Sequence, residues 1–355
     1  MVLVLMGVYR ALTVGVRSYV GPDQIDLWVA PLGTDNLIRS SALLPASIVD
    51  SIGALPGVRE AAPLLRGFVA VRAADGAAST EDSATSSRAP AINLLSIGYR
   101  APDGLGGPPR IHQGAAPKGA SQVALDRAAA HRLGLEIGDT ISVNDSLFEL
   151  TGLTTGTNLI ATQFAFFDAA AGARTSGFYG RVSFVAVGLR PEAVPSEVSL
   201  QITDRFPQAA VYTREAFVEN NVREVAAGFR PMQLLVSGVG IAAAAVLVAL
   251  LVQAAVEDRR RDISVLLAMG APAHAVGLGV VGHAAWLVVL GGIAGAVLAS
   301  ALHAVLRWSV PTVEIAPRVH DLALVLPLFI GSGVIAACVP LLRLRRIDPI
   351  EAFRP

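Results

Sequence analysis

The sequence predicts a membrane protein in which an α-helical transmembrane bundle carries an inserted α+β extracytoplasmic domain. Of the 355 residues, 53% are hydrophobic and only 16% are charged, against about 25% charged residues in soluble domains. The mean hydropathy is +0.56. Apolar residues concentrate after Pro231, whereas the middle of the chain has the composition of a soluble protein. The net charge of zero creates no field that would attract nucleic acid, so none is expected as a partner.

The first apolar segment, residues 1–16, contains a single charge, Arg10. It is too short to cross a bilayer, and it lacks the basic start and the small-residue cleavage site of a signal peptide. We therefore assign residues 1–19 to a partial first transmembrane helix, the outer end of a helix whose inner part is missing. A short helix that lies in the membrane interface is the alternative.

Residues 20–230 predict a mixed α+β domain. Alternating apolar residues predict strands at 24–31, 67–72, 92–99, 182–189 and 209–212, a helix is predicted at 191–206, and Gly- and Ser-rich composition predicts loops at 73–88 and 101–120. The clearest local pattern is at 125–153. There, Asp126 caps a short helix that ends at Gly134, and strands 140–143 and 147–150 flank an Asn144-Asp145 turn.

Residues 231–355 contain three complete apolar spans, at about 232–256, 275–305 and 322–342. None of the three holds Asp, Glu, Lys or Arg. Arginines cluster in the connector 257–274 and in the tail 343–355, and positive charge marks the cytoplasmic side of a membrane protein. The connector and the tail are therefore assigned to the cytoplasm, and residues 17–230 to the outside.

The sequence shows no residue set that is typical of an enzyme. It contains neither a P-loop for ATP nor a zinc-binding H-E-x-x-H motif, and its one cysteine, Cys338, lies in an apolar run. A G-x-G-x-x-G run at 277–282 lies inside a predicted span and not after a strand, so cofactor binding is not expected there. Gly291 and Gly295 form a G-x-x-x-G pair, which predicts helix packing within the chain or between two copies, with plain helix flexibility as the alternative.

The connector predicts a short amphipathic helix between the first two complete spans. Ile263, Leu266, Leu267 and Met269 recur at helical spacing and predict one apolar face. The arginines before them can meet acidic groups or lipid headgroups. The residues alone leave two interpretations open: a lever that a cytoplasmic partner pushes, and a turn that is anchored at the lipid surface.

The connector resembles the FtsX-like permease family of the MacB-type ABC transporters, whose members carry roughly R-R-R-E-I-G-x-L-R-A-L-G-A at this place. Residues 259–271 read RRRDISVLLAMGA, and the tail residues 346–354 read RIDPIEAFR against the family's R-x-D-P-x-E-A-L-R. Residues 133–143, LGLEIGDTISV, resemble the L-G-x-x-x-G-D pattern of the family's periplasmic core. Two departures are Ser264, where glycine is common, and Leu267, where arginine is common.

The resemblance implies four helices per subunit, a dimer of identical or paired permease subunits, and a separate dimer of ABC ATPase subunits that binds ATP and Mg²⁺. This chain itself would be non-catalytic and hold no cofactor or metal. The residues to which the resemblance assigns ATPase coupling are Arg259, Arg260, Arg261, Asp262, Ile263, Leu266, Leu267, Met269 and Gly270. A second motif, in the cytoplasmic tail, comprises Arg346, Asp348, Pro349 and Glu351.

The resemblance also implies a cellular location and a function. Such permeases are multi-pass proteins of the bacterial plasma membrane, and they couple ATP hydrolysis to motion of the extracytoplasmic domain, which is called mechanotransmission. They act on lipids, lipoproteins or peptides at the outer side, in some cases with an extracytoplasmic adaptor. Two alternatives stay open: a permease for a solute such as an amino acid, and a membrane-anchored regulator of a cell-wall hydrolase.

Overall fold

The computed structural model describes residues 2–39, 42–74, 91–101, 104–157 and 163–309, together with positions 327, 331, 332 and 335. The chain divides into two compact units. We call Arg10–Ala227 the outer unit, and Met1–Tyr9 with Gly228–Pro355 the membrane unit.

The outer unit contains both helices and strands. The helices are α1 (Val2–Val20, whose first residues belong to the membrane unit), α2 (Ser47–Gly53), α3 (Arg127–Leu133), α4 (Ala169–Ser176) and α5 (Pro195–Arg205). The strands are β1 (Leu27–Pro31), β2 (Leu44–Pro45), β3 (Val58–Ala73), β4 (Ile92–Tyr99), β5 (Ile111–Gly114), β6 (Gln122–Asp126), β7 (Thr140–Val143), β8 (Ser146–Thr154), β9 (Phe164–Asp168), β10 (Arg181–Val182), β11 (Phe184–Leu189) and β12 (Ala209–Thr213).

One sheet runs through the outer unit in the order β12-β1-β11-β3-β4-β9-β6-β8-β5, and β7 pairs with both β3 and β8. The pairs β4–β9 and β6–β8 are parallel, and the other pairs of this sheet are antiparallel. The long strand β3 pairs with β11 from Val58 to Leu64 and with β4 from Leu65 to Val71. It therefore joins two halves of the sheet, each with its own neighbours.

We call β1, β11, β12, α2, α5 and the first part of β3 the first half, and β4–β9, α3, α4 and the rest of β3 the second half. Each half has its own hydrophobic core. The core of the first half is built around Leu27, Ile52, Val187 and Ile202. The core of the second half is built around Val71, Leu125, Phe148 and Phe167.

A third core is shared by both halves and by two long helices. Trp28 and Phe184 enter it from the first half, and Phe164 and Phe166 enter it from the second half. Tyr19 enters it from α1. Aromatic side chains bury a large apolar area each, so this core contributes to holding the two halves together.

The local pattern at 125–153 is confirmed. The carboxylate of Asp126 accepts a hydrogen bond from the Ala128 N–H at 2.8 Å, and Gly134 ends α3 in a left-handed conformation with φ of 63°. Asn144 and Asp145 have φ of 45° and 65°, which is the conformation of the two central residues of a tight hairpin turn.

Other predictions agree only in part. Strand 92–99 is confirmed, but predicted strand 67–72 is the end of the much longer β3, and predicted loop 101–120 contains β5. Predicted strand 182–189 is interrupted at Ser183, whose hydroxyl bonds to the backbone of β3 instead. The elements α2, β6, β9 and α4 were not predicted, and loop 73–88 lies outside the described residues from position 75 onward.

The membrane unit is helical in its described part. Its helices are α6 (Arg214–Asp258, which begins in the outer unit), α7 (Arg260–Ala268) and α8 (Ala273–Ser309). Within the described residues, three helices are long and apolar enough to cross a membrane: α1, α6 and the segment Ala285–Leu302 of α8. The predicted spans 232–256 and 275–305 lie within α6 and α8, and span 322–342 lies outside the described residues except for isolated positions.

The assignment of the first apolar segment to a partial transmembrane helix stays a prediction. Helix α1 has 19 residues, and it is a candidate span by length and composition alone. Its last turn, with Tyr19 and Val20, is packed in the shared core of the outer unit.

Candidate functional site

The connector between α6 and α8 is the short helix α7. Backbone hydrogen bonds and a glycine in a left-handed conformation mark where it begins and ends. The N–H of Ile263 donates to the Arg259 carbonyl at 3.0 Å, which starts the helical turns. At the other end the N–H of Ala271 donates to the Leu266 carbonyl at 3.0 Å, and Gly270 has φ of 92°. This is the glycine-dependent C-terminal cap of a helix, because other residues adopt that φ at a cost. Gly270, assigned to coupling from the sequence, therefore has a structural role as the residue that ends α7.

Helix α7 has a buried side and an exposed apolar side. Ile263 and Ser264 are buried, with 7% and 2% of their surface exposed. Leu266 is 42% exposed and Met269 is 72% exposed, and Val265 lies on the same exposed side. We call Val265, Leu266 and Met269 the α7 patch.

The structure thus corrects the predicted apolar face of four residues. Ile263 lies only about 60° from Leu266 around the helix axis but about 120° from Met269, and it is buried, so it lies at the edge between the buried and the exposed side. Its buried neighbour is Ser264, one residue on. The sequence pattern missed Val265, and the side chain of Leu267 is outside the described residues.

The charges around α7 are exposed and partly oppose the helix dipoles. Arg259, Arg261 and Asp262 are exposed, as are Glu257 and Asp258 at the end of α6. Arginines at a helix N-terminus and acids at a helix C-terminus are each unfavourable, by roughly 0.3–1 kcal/mol per charge. The two groups are neighbours in the sequence at the α6–α7 junction, and nearby opposite charges offset part of each other's cost. The backbone of Arg260 begins α7, and its side chain is not described.

The remaining predicted site residues are not brought to α7 by the described part of the chain. Gly291 and Gly295 lie on α8 and are exposed, and no described heavy atom lies within 4 Å of a Cβ built on either one. Their role in helix packing stays a prediction. The tail residues Arg346, Asp348, Pro349 and Glu351 lie outside the described residues.

Sequence reasoning did not identify the contacts that anchor α6 in the outer unit. Phe217 is fully buried and stacks on Trp28 with ring centroids 4.9 Å apart. One turn later the amide oxygen of Asn221 accepts a hydrogen bond from the Leu37 N–H at 2.8 Å. After another turn Glu224 forms an ion pair with Arg39 at 2.5 Å. The spacing of Phe217, Asn221 and Glu224 on one helix face was the available signal.

The end of α1 is anchored at different residues. The Tyr19 ring lies 5.1 Å from Phe164 and 5.8 Å from Phe166, and its hydroxyl donates to the Gly106 carbonyl at 3.0 Å. The indole of Trp28 donates to the carbonyl of Val20, the last residue of α1, at 3.0 Å. The last turn of α1 and the first turns of α6 therefore both lie in the shared core of the outer unit.

The described part of the outer unit contains one notable buried acid, Asp126. Its second carboxylate oxygen accepts a hydrogen bond from the Thr157 hydroxyl at 2.8 Å. Burial raises the pKa of Asp126, and the hydrogen bonds from Ala128 and Thr157 and the charge of Arg127 partly offset that rise. Because both oxygens are used within the fold, we assign Asp126 a structural role. The described residues contain no group of three or more His, Cys, Asp or Glu that could hold a metal ion.

Two family models match the chain. The MacB-like periplasmic core domain matches residues 1–205, and the FtsX-like permease C-terminal domain matches residues 234–349. An uncharacterized ABC transporter permease of Mycobacterium tuberculosis is 26% identical over 99% of this chain and 91% of its own length. An uncharacterized ABC transporter permease of Mycobacterium bovis is 24% identical over 99% of this chain and 91% of its own length.

Two solved structures are similar to part of the chain. The periplasmic region of MacB from Actinobacillus actinomycetemcomitans covers 56% of this chain and 93% of its own, with 9% identity and a TM-score of 0.42. The extracellular domain of the noncanonic ABC-type transporter YknZ from Gram-positive bacteria covers 53% of this chain and 98% of its own, with 12% identity and a TM-score of 0.37. The family assignment rests on the two matched models, which together extend from residue 1 to residue 349. The chain belongs to the family of ABC transporter permeases that combine a MacB-like periplasmic core domain with an FtsX-like permease domain.

Proposed function

We propose that this chain is the non-catalytic membrane subunit of an ABC complex, in which a separate ATPase dimer pushes on α7 and α6 carries the displacement to the outer unit. ATP and Mg²⁺ would be bound by the ATPase subunits. The observation that carries the proposal is the α7 patch, with Leu266 and Met269 exposed on the connector and Arg259 and Arg261 beside them.

The patch has the chemistry of a small docking surface. Apolar side chains that stay exposed on a short helix are stabilised by a partner that covers them, and exposed arginines next to them attract acidic groups. The lipid surface could cover the same residues, since arginines also meet lipid headgroups. A protein partner and a lipid surface respond differently to a single acidic substitution in the patch, which provides the test below.

Helix α6 supports the second part of the proposal. It is a single helix of 45 residues whose last residue, Asp258, lies two positions before α7. Its first turns are fixed in the outer unit through Phe217 and Asn221. A helix fixed at one end and joined to a docking helix at the other is a suitable element for transmitting a small displacement.

The composition of the spans bears on the substrate class. Residues 232–256 and 275–305 contain no Asp, Glu, Lys or Arg. Ionisable residues inside spans usually mark the path of a polar solute or ion. We therefore favour work on a substrate at the outer side, such as a lipid, lipoprotein or peptide, over passage of a polar solute. The complex would contain a second permease subunit and lie in the bacterial plasma membrane, with the outer unit extracytoplasmic.

The test is Leu266→Asp in the full chain, reconstituted with its ATPase in lipid nanodiscs. We expect co-purification to weaken and the stimulation of ATP hydrolysis by this chain to fall at least tenfold, since a central apolar contact is worth about 2 kcal/mol or more. Leu266→Met, which keeps the side chain apolar, should retain both. Leu200→Asp, at an exposed leucine of α5, is the matched control for an added charge. Unchanged binding and stimulation in Leu266→Asp would remove α7 as the docking element and favour the lipid-anchored turn.

A further inference from the structure

In part of its length, strand β3 is paired with another strand on one edge only. On its other edge, hydrogen bonds from single residues take the place of a paired strand. On the edge opposite β4, β3 pairs with β11 as far as Leu64 and with β7 from Val71. Between these points the Ser183 hydroxyl accepts a hydrogen bond from the Arg66 N–H at 3.0 Å, and the Asn144 side chain accepts one from the Ala70 N–H at 2.9 Å. We call residues 65–70 of β3 the flexure. The backbone N–H of Asn144 also donates to the Ala70 carbonyl at 3.0 Å. Here β3 is paired with a full strand on one edge, and on the other edge it is held only by Ser183 and Asn144.

The flexure lies where the two halves of the outer unit meet. Each half keeps its own core on its own helices, α2 and α5 for the first half and α3 and α4 for the second. The chain crosses between the halves again in the segment from α4 to β10. This crossing contains Gly177 and Gly180, with φ of 75° and 65°. Hinges are commonly a few element-terminal residues that absorb backbone rotation, and small residues are frequent among them.

The aromatic contacts of the two long helices lie in different halves. Phe217 of α6 stacks on Trp28 and lies 5.7 Å from Phe184, which are both residues of the first half. Tyr19 of α1 packs on Phe164 and Phe166, which are both on β9 in the second half. The Trp28 bond to the Val20 carbonyl is made at the residue where α1 ends and the chain passes to the first half.

From this arrangement we infer that the outer unit does not receive motion of α6 as one rigid body: displacement of α6 relative to α1 slides the first half against the second about the flexure. The shared core is continuous, so the movement is a small shear of packed layers and does not open a cleft. The flexure allows it because on this edge the hydrogen bonds of two residues, Ser183 and Asn144, stand in place of a continuous strand pair and can lengthen or exchange. The inference rests on the proposed function, which supplies the force on α6.

The experiment measures distances within the outer unit of the full complex. In a Cys338→Ser chain, spin labels at Leu147→Cys and Leu200→Cys report the distance between the halves, because both leucines are exposed and lie on β8 and α5. Labels at Leu32→Cys and Leu200→Cys, both exposed in the first half, form the matched control. Labelled subunits are diluted with unlabelled ones, and distances are compared without nucleotide and with ATP and vanadate.

We expect the Leu147–Leu200 distance distribution to shift on nucleotide trapping while the Leu32–Leu200 distribution stays the same. Ser183→Ala should broaden the Leu147–Leu200 distribution before nucleotide is added, whereas Ser121→Ala, at an exposed serine of the second half, should not.

Constant distances within the outer unit, together with a nucleotide-dependent change between Leu200→Cys labels on two subunits, would overturn the inference and leave the proposed function intact. If no distance within or between subunits changes and the ATPase is not stimulated by this chain, the proposed function fails as well.

Discussion

The outer unit buries its large apolar side chains, whereas the membrane unit exposes them. Within the outer unit Trp28, Tyr99, Phe166 and Phe217 are fully buried. On α6 and α8 the exposed side chains include Leu234, Leu235, Leu247, Leu250, Leu251, Trp286, Leu290 and Leu298. Soluble proteins rarely expose apolar patches of this extent, so the described part of the membrane unit has the surface of a protein solvated by lipid.

The same helix, α6, passes from one environment to the other. Phe217 near its start is in a protein core, and Leu250 near its end is exposed. Similar apolar residues on one helix therefore have different energetic roles. Phe217 contributes tertiary packing, and Leu250 contributes a surface that lipid can solvate. Substitutions at matched positions separate the two roles.

The largest effect on stability is expected for Phe217→Ala. The ring is fully buried against Trp28, Phe184 and Tyr212, and its loss should lower the free energy of unfolding of the outer unit by about 3–5 kcal/mol. Leu250→Ala, on the exposed side of the same helix, should change it very little. Thermal unfolding of the full chain in nanodiscs, followed by tryptophan fluorescence, measures both. Equal losses for the two variants would mean that the lower part of α6 is packed in the same way as the upper part.

A somewhat smaller effect is expected when a charge replaces an exposed leucine. Leu250→Arg places a guanidinium inside the apolar span 232–256 and should cost up to about 2.5–3.5 kcal/mol of insertion free energy, which is the cost at the centre of a span. Leu200→Arg makes the same change at an exposed leucine of α5, where surface substitutions typically stay within about 0.5 kcal/mol. The fraction of chain inserted in membranes, measured by protease protection, should fall only for Leu250→Arg. Similar insertion of both variants would argue against a lipid environment for α6.

The smallest of these changes in the free energy of unfolding is expected for Asp126, the buried acid of the outer unit. The described part of the membrane unit has no buried acid to compare with it. Asp126→Ala removes the cap of α3 and the acceptor for Thr157, and should cost about 1–3 kcal/mol. Asp126→Asn keeps an acceptor for the Ala128 N–H and should cost less. Both variants are compared with the parent chain by thermal unfolding at several pH values.

The pH dependence of the parent chain has a defined sign. Burial raises the pKa of Asp126 in the folded state, so the folded chain holds this proton more tightly than the unfolded chain. The contribution of Asp126 to the free energy of unfolding is therefore fully present below the ordinary carboxyl pKa of about 3.9, and it is lost as pH rises through the folded pKa. Asp126→Asn should remove this slope. A slope that persists in Asp126→Asn would belong to another group.

The elements that could be predicted from the sequence are those whose signal is local. The α3 cap at Asp126, the stop at Gly134 and the turn at Asn144-Asp145 each depend on residues within a few positions of one another, and all three are confirmed. The apolar spans of α6 and α8 are signalled by their composition alone. The division of β3 between two halves depends on pairing with distant strands, so no local pattern indicates it.

In the candidate site, too, local features were predictable from the sequence and features that depend on distant residues were not. The helix α7 was predictable from spacing, but its end at Gly270 and the assignment of its faces were not predicted. Which side of an amphipathic helix is buried depends on what packs beside it, and this places Ile263 and Ser264 inside and Val265 outside. The anchors of α6 at Phe217 and Asn221 were missed because their partners, Trp28 and Leu37, lie far away in the sequence.

The central claim is that α7 lies on the cytoplasmic side while the outer unit lies on the opposite side of the membrane. It is tested most directly in intact cells that produce Cys338→Ser chains carrying Met269→Cys or Leu147→Cys, both at exposed positions. A thiol reagent that does not cross membranes should label Leu147→Cys in intact cells, and Met269→Cys only after the cells are broken. Labelling of Met269→Cys in intact cells while Leu147→Cys stays unlabelled would contradict the account.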